Sequence, residues 1–172
     1  GDSNSYRLND EYAQHYKSQG AEDVLKFHWN GSGCRQWLGV LKNLERLKAG
    51  QKIGSGKQAA AARKIFNFKP TKIDVVCLGG NNMGNIYRES SLRSHINGCI
   101  KPLMQELKKW NGTFAGTVPV GKNRVGKNGQ RSNVLRAKMN EEYAKAAQEV
   151  GIPFWNPTTR IAYDTAALSK RN

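Results

Sequence analysis

Ser3 follows Asp2 in the small-residue stretch GDSNS, Gly1 to Ser5. A serine hydroxyl at a helix entrance, among free backbone N–H groups, is either a helix cap or a nucleophile for acyl transfer. Acyl transfer also needs a general base with an orienting partner, and donors aimed at the oxyanion that develops on the attacked carbonyl. Two donors are on offer. Gly33 stands where the segment ending KFHW meets an apolar helical pattern, so its N–H either faces an anion at a helix start or belongs to a turn glycine. Asn81 follows Gly79 and Gly80, and its side-chain amide either donates into the same space or is part of a GGNN turn. The histidines give no obvious base: His15 falls after Ser3, His28 in the strand before Gly33, and His95 on the helix after the GGNN stretch.

Strands and helices must carry these groups. KIDVVCLGG, Lys72 to Gly80, is apolar and β-branched ahead of a glycine pair, TFAGTVPV, Thr113 to Val120, is a weaker second case, and IPFWN is a third. Helical spacing runs through Trp37, Leu38, Leu41, Leu44 and Leu47 within Gly33 to Leu47. It returns in Ser91 to Trp110, where Pro102 predicts a kink, and in Val134 to Val150, which Gly151 stops. Alternating strands and helices predict an α/β fold on a parallel sheet, with ligands at the carboxyl ends of the strands. The loops that matter are then Asn30 to Gly33, Gly79 to Asn85 and Gly121 to Asn133. The last contains Lys122, Arg124, Lys127 and Arg131 and no acidic residue, and it reads as a mobile, positively charged flap. Lys48 to Lys69, basic and glycine-containing around QAAAARKIF, reads as a second soft insertion within one domain, residues 1–172.

Composition narrows the partners. The 28 Lys and Arg against 13 Asp and Glu give a net charge of +15, which predicts attraction to polyanions: nucleic acid, an anionic cell-wall polymer or an acidic lipid surface, or else a basic surface kept for solubility. Zinc-binding spacings, an RNA-binding aromatic strand motif and a basic region leading into heptads are all missing. No apolar run approaches the roughly eighteen residues that cross a bilayer. Cys34, Cys77 and Cys99 are odd in number and lack metal-like spacing, which favours buried thiols and a reducing compartment.

Taken in order, these segments resemble the SGNH (GDSL-like) hydrolase family over nearly the whole chain. GDSNS is similar to the first block, with Ser3 as nucleophile; NGSG, Asn30 to Gly33, to the second, with Gly33 as a backbone oxyanion donor; and LGGNN, Leu78 to Asn82, to the third, with Asn81 as side-chain donor. Asn82 stands where aspartate is common. The fourth block normally reads Asp-x-x-His, and YDTAALS, Tyr163 to Ser169, supplies Asp164 as the orienting acid but Ala167 in the place of the histidine. The resemblance implies a three-layer α/β/α sandwich with a central parallel sheet and flavodoxin-like topology, and no metal or cofactor. It also expects a strand before Gly1 and a helix after Asn172, which suggests a segment of a longer chain.

The resemblance implies an esterase or carbohydrate O-deacetylase acting on an anionic or glycan substrate. Lys122, Arg124, Lys127 and Arg131 would hold the negative charge, with Asn82 and Trp29 as further substrate contacts. Ala167 makes such an enzyme nearly inert, because loss of the base costs on the order of ten thousand to a million fold in turnover. The alanine is either an introduced change or the mark of a natural pseudoenzyme. The competing expectation is a noncatalytic module for nucleic acid or another polyanion, inside a larger viral or mobile-element protein.

Overall fold

The computed structural model describes residues 9–76, 89–118 and 127–157. In chain order the elements are α1 (Asn9–Ser18), α2 (Cys34–Lys48), α3 (Lys57–Phe68), α4 (Glu89–His95), a π-helical turn (Ile96–Ile100), α5 (Lys101–Lys108), β1 (Phe114–Ala115), α6 (Lys127–Val150) and β2 (Phe154–Trp155). The three-layer sandwich expected from the sequence is corrected here. Among the described residues helices dominate, and the only sheet is the parallel pair β1–β2, joined by a single parallel bridge from Val75 to Phe114.

The apolar periodicity explains why helices win. On α2 the buried side chains are Trp37, Val40, Leu41 and Leu44, with Leu38 and Leu47 packed at the margin, which is the stripe the spacing predicts. Leu103, Met104 and Leu107 of α5 are fully buried, as are Met139 and Tyr143 of α6. The core is therefore mainly helix against helix. Phe114 of β1 enters it edge-on to Tyr143, ring centroids 5.5 Å apart.

Among the described residues, side chains take backbone groups at both ends of the ladder. At the amino end of the ladder, Asp74 is committed to side-chain bonds: Oδ1 accepts the Thr113 N–H at 2.7 Å and pairs with Lys72 Nζ at 3.0 Å, while Oδ2 accepts the Tyr16 hydroxyl of α1. At the carboxyl end, the Asn140 amide on α6 takes both backbone groups of Thr117, accepting from its N–H and donating to its C=O at 2.9 Å each. Arg136 donates to the Val118 C=O at 3.0 Å. With these groups occupied by a helix, Thr117 has no backbone group left for the ladder. The segment KFHW is likewise no strand: Phe27 and Trp29 turn their rings edge-on to Trp37 at 5.7 and 6.0 Å, and the Trp29 C=O accepts the Ser32 N–H in a turn.

Three further expectations are revised. Lys48 to Lys69 is not a loose insertion but the turn and second arm of a helical hairpin. Ala59, Ala61, Ala62 and Ile65 of α3 are buried, and Gly39 of α2 lies directly against the Gln58 side chain. The expected flap Gly121 to Asn133 is helical from Lys127 onward. The helix predicted around Pro102 is not simply kinked. Pro102 has no N–H to give to Gly98, and the chain passes that point through the π turn, in which the Lys101 N–H bonds the Ile96 C=O.

Cysteine pairing also departs from the sequence reading. Cys34 and Cys99, 65 residues apart, form a disulfide with Cα atoms 6.1 Å apart, tying the start of α2 to the π turn. A reducing compartment therefore does not follow from the cysteine count. No helix among the described residues is long and apolar enough to cross a membrane.

Candidate functional site

The polarity of the ladder organises everything near it. Val75, Phe114–Ala115 and Phe154–Trp155 run parallel in the spatial order 75, 114, 154, held by Val75 N to Thr113 O at 3.0 Å, Ala115 N to Val75 O at 2.8 Å, Phe114 N to Pro153 O at 3.1 Å and Gly116 N to Trp155 O at 3.1 Å. Parallel segments leave at one edge. In sequence, the segment after Val75 leads to Gly79 and Asn81, that after β1 to Lys122 and Arg124, and that after β2 to Asp164.

At that edge lies a polar cluster that sequence reasoning missed. Thr117, Asn133 and Asn140 are buried, and Arg136 places Nη1 2.7 Å from the Thr117 hydroxyl oxygen while also holding the Val118 C=O. Asn133, Arg136 and Asn140 are three and four residues apart on α6, hence on one helix face. That spacing of polar residues alongside Met139 and Tyr143 was the available signal. Chemically the cluster fixes the start of the segment after β1 and brings a cation to the carboxyl edge of the ladder.

Gly33 is the one expected oxyanion donor that the structure describes. It is the buried N-cap of α2, as the sequence reading placed it, with φ −126° and ψ −168°. Its N–H is not open, however: it donates to Gln36 Oε1 at 2.9 Å, the backbone half of a capping box. Service as an anion donor requires the Gln36 side chain to swing aside. Next to it, the buried Ser32 hydroxyl accepts the Trp37 indole N–H at 2.9 Å, so the NGSG loop is fastened to α2 at two points.

Trp29 is half-buried against Trp37, which leaves only part of its ring for a ligand. Lys127 and Arg131 fall in the first two turns of α6. Ser3, Asn81, Asn82, Lys122, Arg124, Asp164 and Ala167 lie outside the described residues. Of the histidines, His15 and His28 are exposed. His95 Nε2 lies 2.9 Å from the hydroxyl of the fully buried Tyr143. Burial first, and then the nearby Arg35 guanidinium, lower its pKa to about 4. Burial also holds the Tyr143 phenol far above its ordinary range, so the phenol keeps its proton and the contact joins two neutral groups, the imidazole tautomer deciding which one donates. His95 is thus committed to the core. No group of three or more His, Cys, Asp or Glu able to hold a metal occurs among the described residues.

Comparison of the chain with protein-family models, with curated proteins and with solved structures finds no match.

Proposed function

We propose that this chain is a serine ester hydrolase or carbohydrate O-deacetylase of the SGNH type, acting on an anionic or glycan substrate and carried here in a form silenced at Ala167. Ser3 attacks the acyl carbon; the Asn81 amide and the Gly33 N–H, once released from Gln36, receive the oxyanion; Asp164 orients a histidine that this chain lacks. The observation that carries the reading is the common polarity of the three extended segments, whose carboxyl ends lead toward the GGNN stretch, the basic residues after β1 and Asp164. Gly33 at a helix start and a half-buried Arg136 beside the same edge support it, the latter suiting a negatively charged substrate.

The test is covalent labelling. Ala167→His treated with a fluorophosphonate should gain one adduct that peptide mass spectrometry places on Ser3, while the unmodified chain stays unlabelled. Labelling at another serine, or none in the folded variant, would count against the assignment. A second reading, a noncatalytic module for nucleic acid or another polyanion, is favoured by the net charge of +15 together with Ala167.

A further inference from the structure

The positive charge is not spread evenly. Between Glu45 and Asp74 the chain carries Arg46, Lys48, Lys52, Lys57, Arg63, Lys64, Lys69 and Lys72 and no acidic residue. All eight side chains are exposed on the α2–α3 hairpin and its flanking turns. Only Lys48 and Lys72 pair with carboxylates: Lys72 with Asp74 at 3.0 Å and Lys48 with Glu45 at 3.9 Å. Among the described residues the other six have none. Arg63 donates to the neutral carbonyls of Ile53 at 3.2 Å and Gly54 at 2.7 Å, which fixes the turn bearing Lys52 beside α3 without cancelling charge. Lys64 sits over the Phe27 ring at 5.5 Å.

We infer that the exposed face of the α2–α3 hairpin is a binding surface for the phosphate backbone of a nucleic-acid duplex. The helix α3 turns Ala59, Ala61, Ala62 and Ile65 inward and leaves Lys57, Ala60, Lys64 and Asn67 outward at spacings of three and four, one continuous stripe. Lys57 and Lys64 are about 10 Å apart along the axis, roughly the rise of three phosphates on one strand. Ala60 between them is small enough to let the helix approach that backbone closely. A helix surface is convex, so these cations do not converge on one point as a small-anion site requires; they suit a repeating polyanion. A helix is also narrow enough, about 10–12 Å across, to lie against a major groove about 12 Å wide. The contacts are to phosphate, so binding is independent of sequence. This inference rests on the polyanion-binding reading and is independent of Ser3.

The probe is a mixed-sequence DNA duplex of about 20 base pairs, with binding followed by fluorescence anisotropy from about 50 to about 200 mM salt. The chain should lose on the order of a thousandfold in affinity across that range if the six unpaired cations engage phosphates. Lys52→Gln, Lys57→Gln and Lys64→Gln combined should flatten the log–log salt slope by about 2.7 and weaken binding at ~100 mM salt by more than a hundredfold. Lys17→Gln with Lys138→Gln, exposed but elsewhere, should change it by less than the hairpin triple. All five positions are exposed, and unchanged circular dichroism would show that folding is preserved. A triple variant that binds like the parent overturns the surface while leaving polyanion binding elsewhere intact. Failure of the parent to bind either the duplex or heparin at the lowest salt overturns both, and binding of heparin but not DNA overturns the nucleic-acid assignment.

Discussion

Asn140→Asp tests the device that ends β1. The Asn140 side chain is fully buried and spans Thr117, its oxygen accepting the N–H and its nitrogen donating to the C=O. Aspartate keeps the first bond and sets a carboxyl oxygen against the Thr117 carbonyl. At acid pH the neutral carboxyl can still donate there, and the cost stays near 1 kcal/mol. Once ionised it faces an acceptor without water, and burial raises the pKa of such a group by up to 3–5 units. The Thr117 N–H and the nearby Arg136 guanidinium both favour the anion and offset part of that rise. A folded pKa above the unfolded one means stability is present below the unfolded value of about 4 and is lost as pH rises through the raised folded value. The variant should therefore fall further behind the parent by pH 7, by about 1–3 kcal/mol, the cost of a buried polar group set against an acceptor. Urea unfolding at pH 4, 5.5 and 7 reads this directly, with Asn140→Leu as a control that loses stability equally at all three. A difference from the parent that does not grow with pH would refute the reasoning.

Other consequences follow from the same structure. Replacing Cys34 and Cys99 with alanine removes a cross-link over 65 residues, worth about 4 kcal/mol by loop-closure entropy; the parent's urea midpoint should drop on reduction while the double variant ignores reductant. His95, with its pKa lowered to about 4, should stay neutral on NMR titration down to pH 5. Because that folded pKa lies below the unfolded 6.5, its contribution is complete above about pH 6.5 and is lost as pH falls toward 4, about 3 kcal/mol in all, and Tyr143→Phe should move the titration. Gly112→Ala should cost 1–3 kcal/mol in thermal or urea unfolding, since a Cβ there meets the backbone carbonyls of Ile73 and Leu107. Gly39→Ala, which meets only the movable end of Gln58, should be neutral or better.

The helices were the legible part of the sequence. Trp37, Leu41 and Leu44, and Leu103 and Leu107, declare their buried faces through spacing alone, and Gly151 ends α6 at φ +82° as its type suggests. The strands were over-read. Val75 and Phe114 do sit in a parallel ladder, but backbone groups at its described ends are taken by Asp74, Asn140 and Arg136, whose side chains reach across about 20 to 40 residues of sequence and leave no local trace. The same holds for α3, where glycines and lysines disguised a packed helix because its contact with Gly39 depends on smallness, not hydrophobicity. Long-range pairing of Cys34 with Cys99 is invisible to spacing. Of the candidate site, the helix start at Gly33 was readable from the chain. The bond that closes its N–H was not, although Gln36 three residues on is the usual capping partner.

The most direct test of the functional account is hydrolysis of an activated acetyl ester by the chain as it stands, by Ala167→His, and by Ala167→His combined with Ser3→Ala. The account predicts turnover in the single variant at least a thousandfold above the other two. Equal rates in all three, with each protein folded, would contradict it.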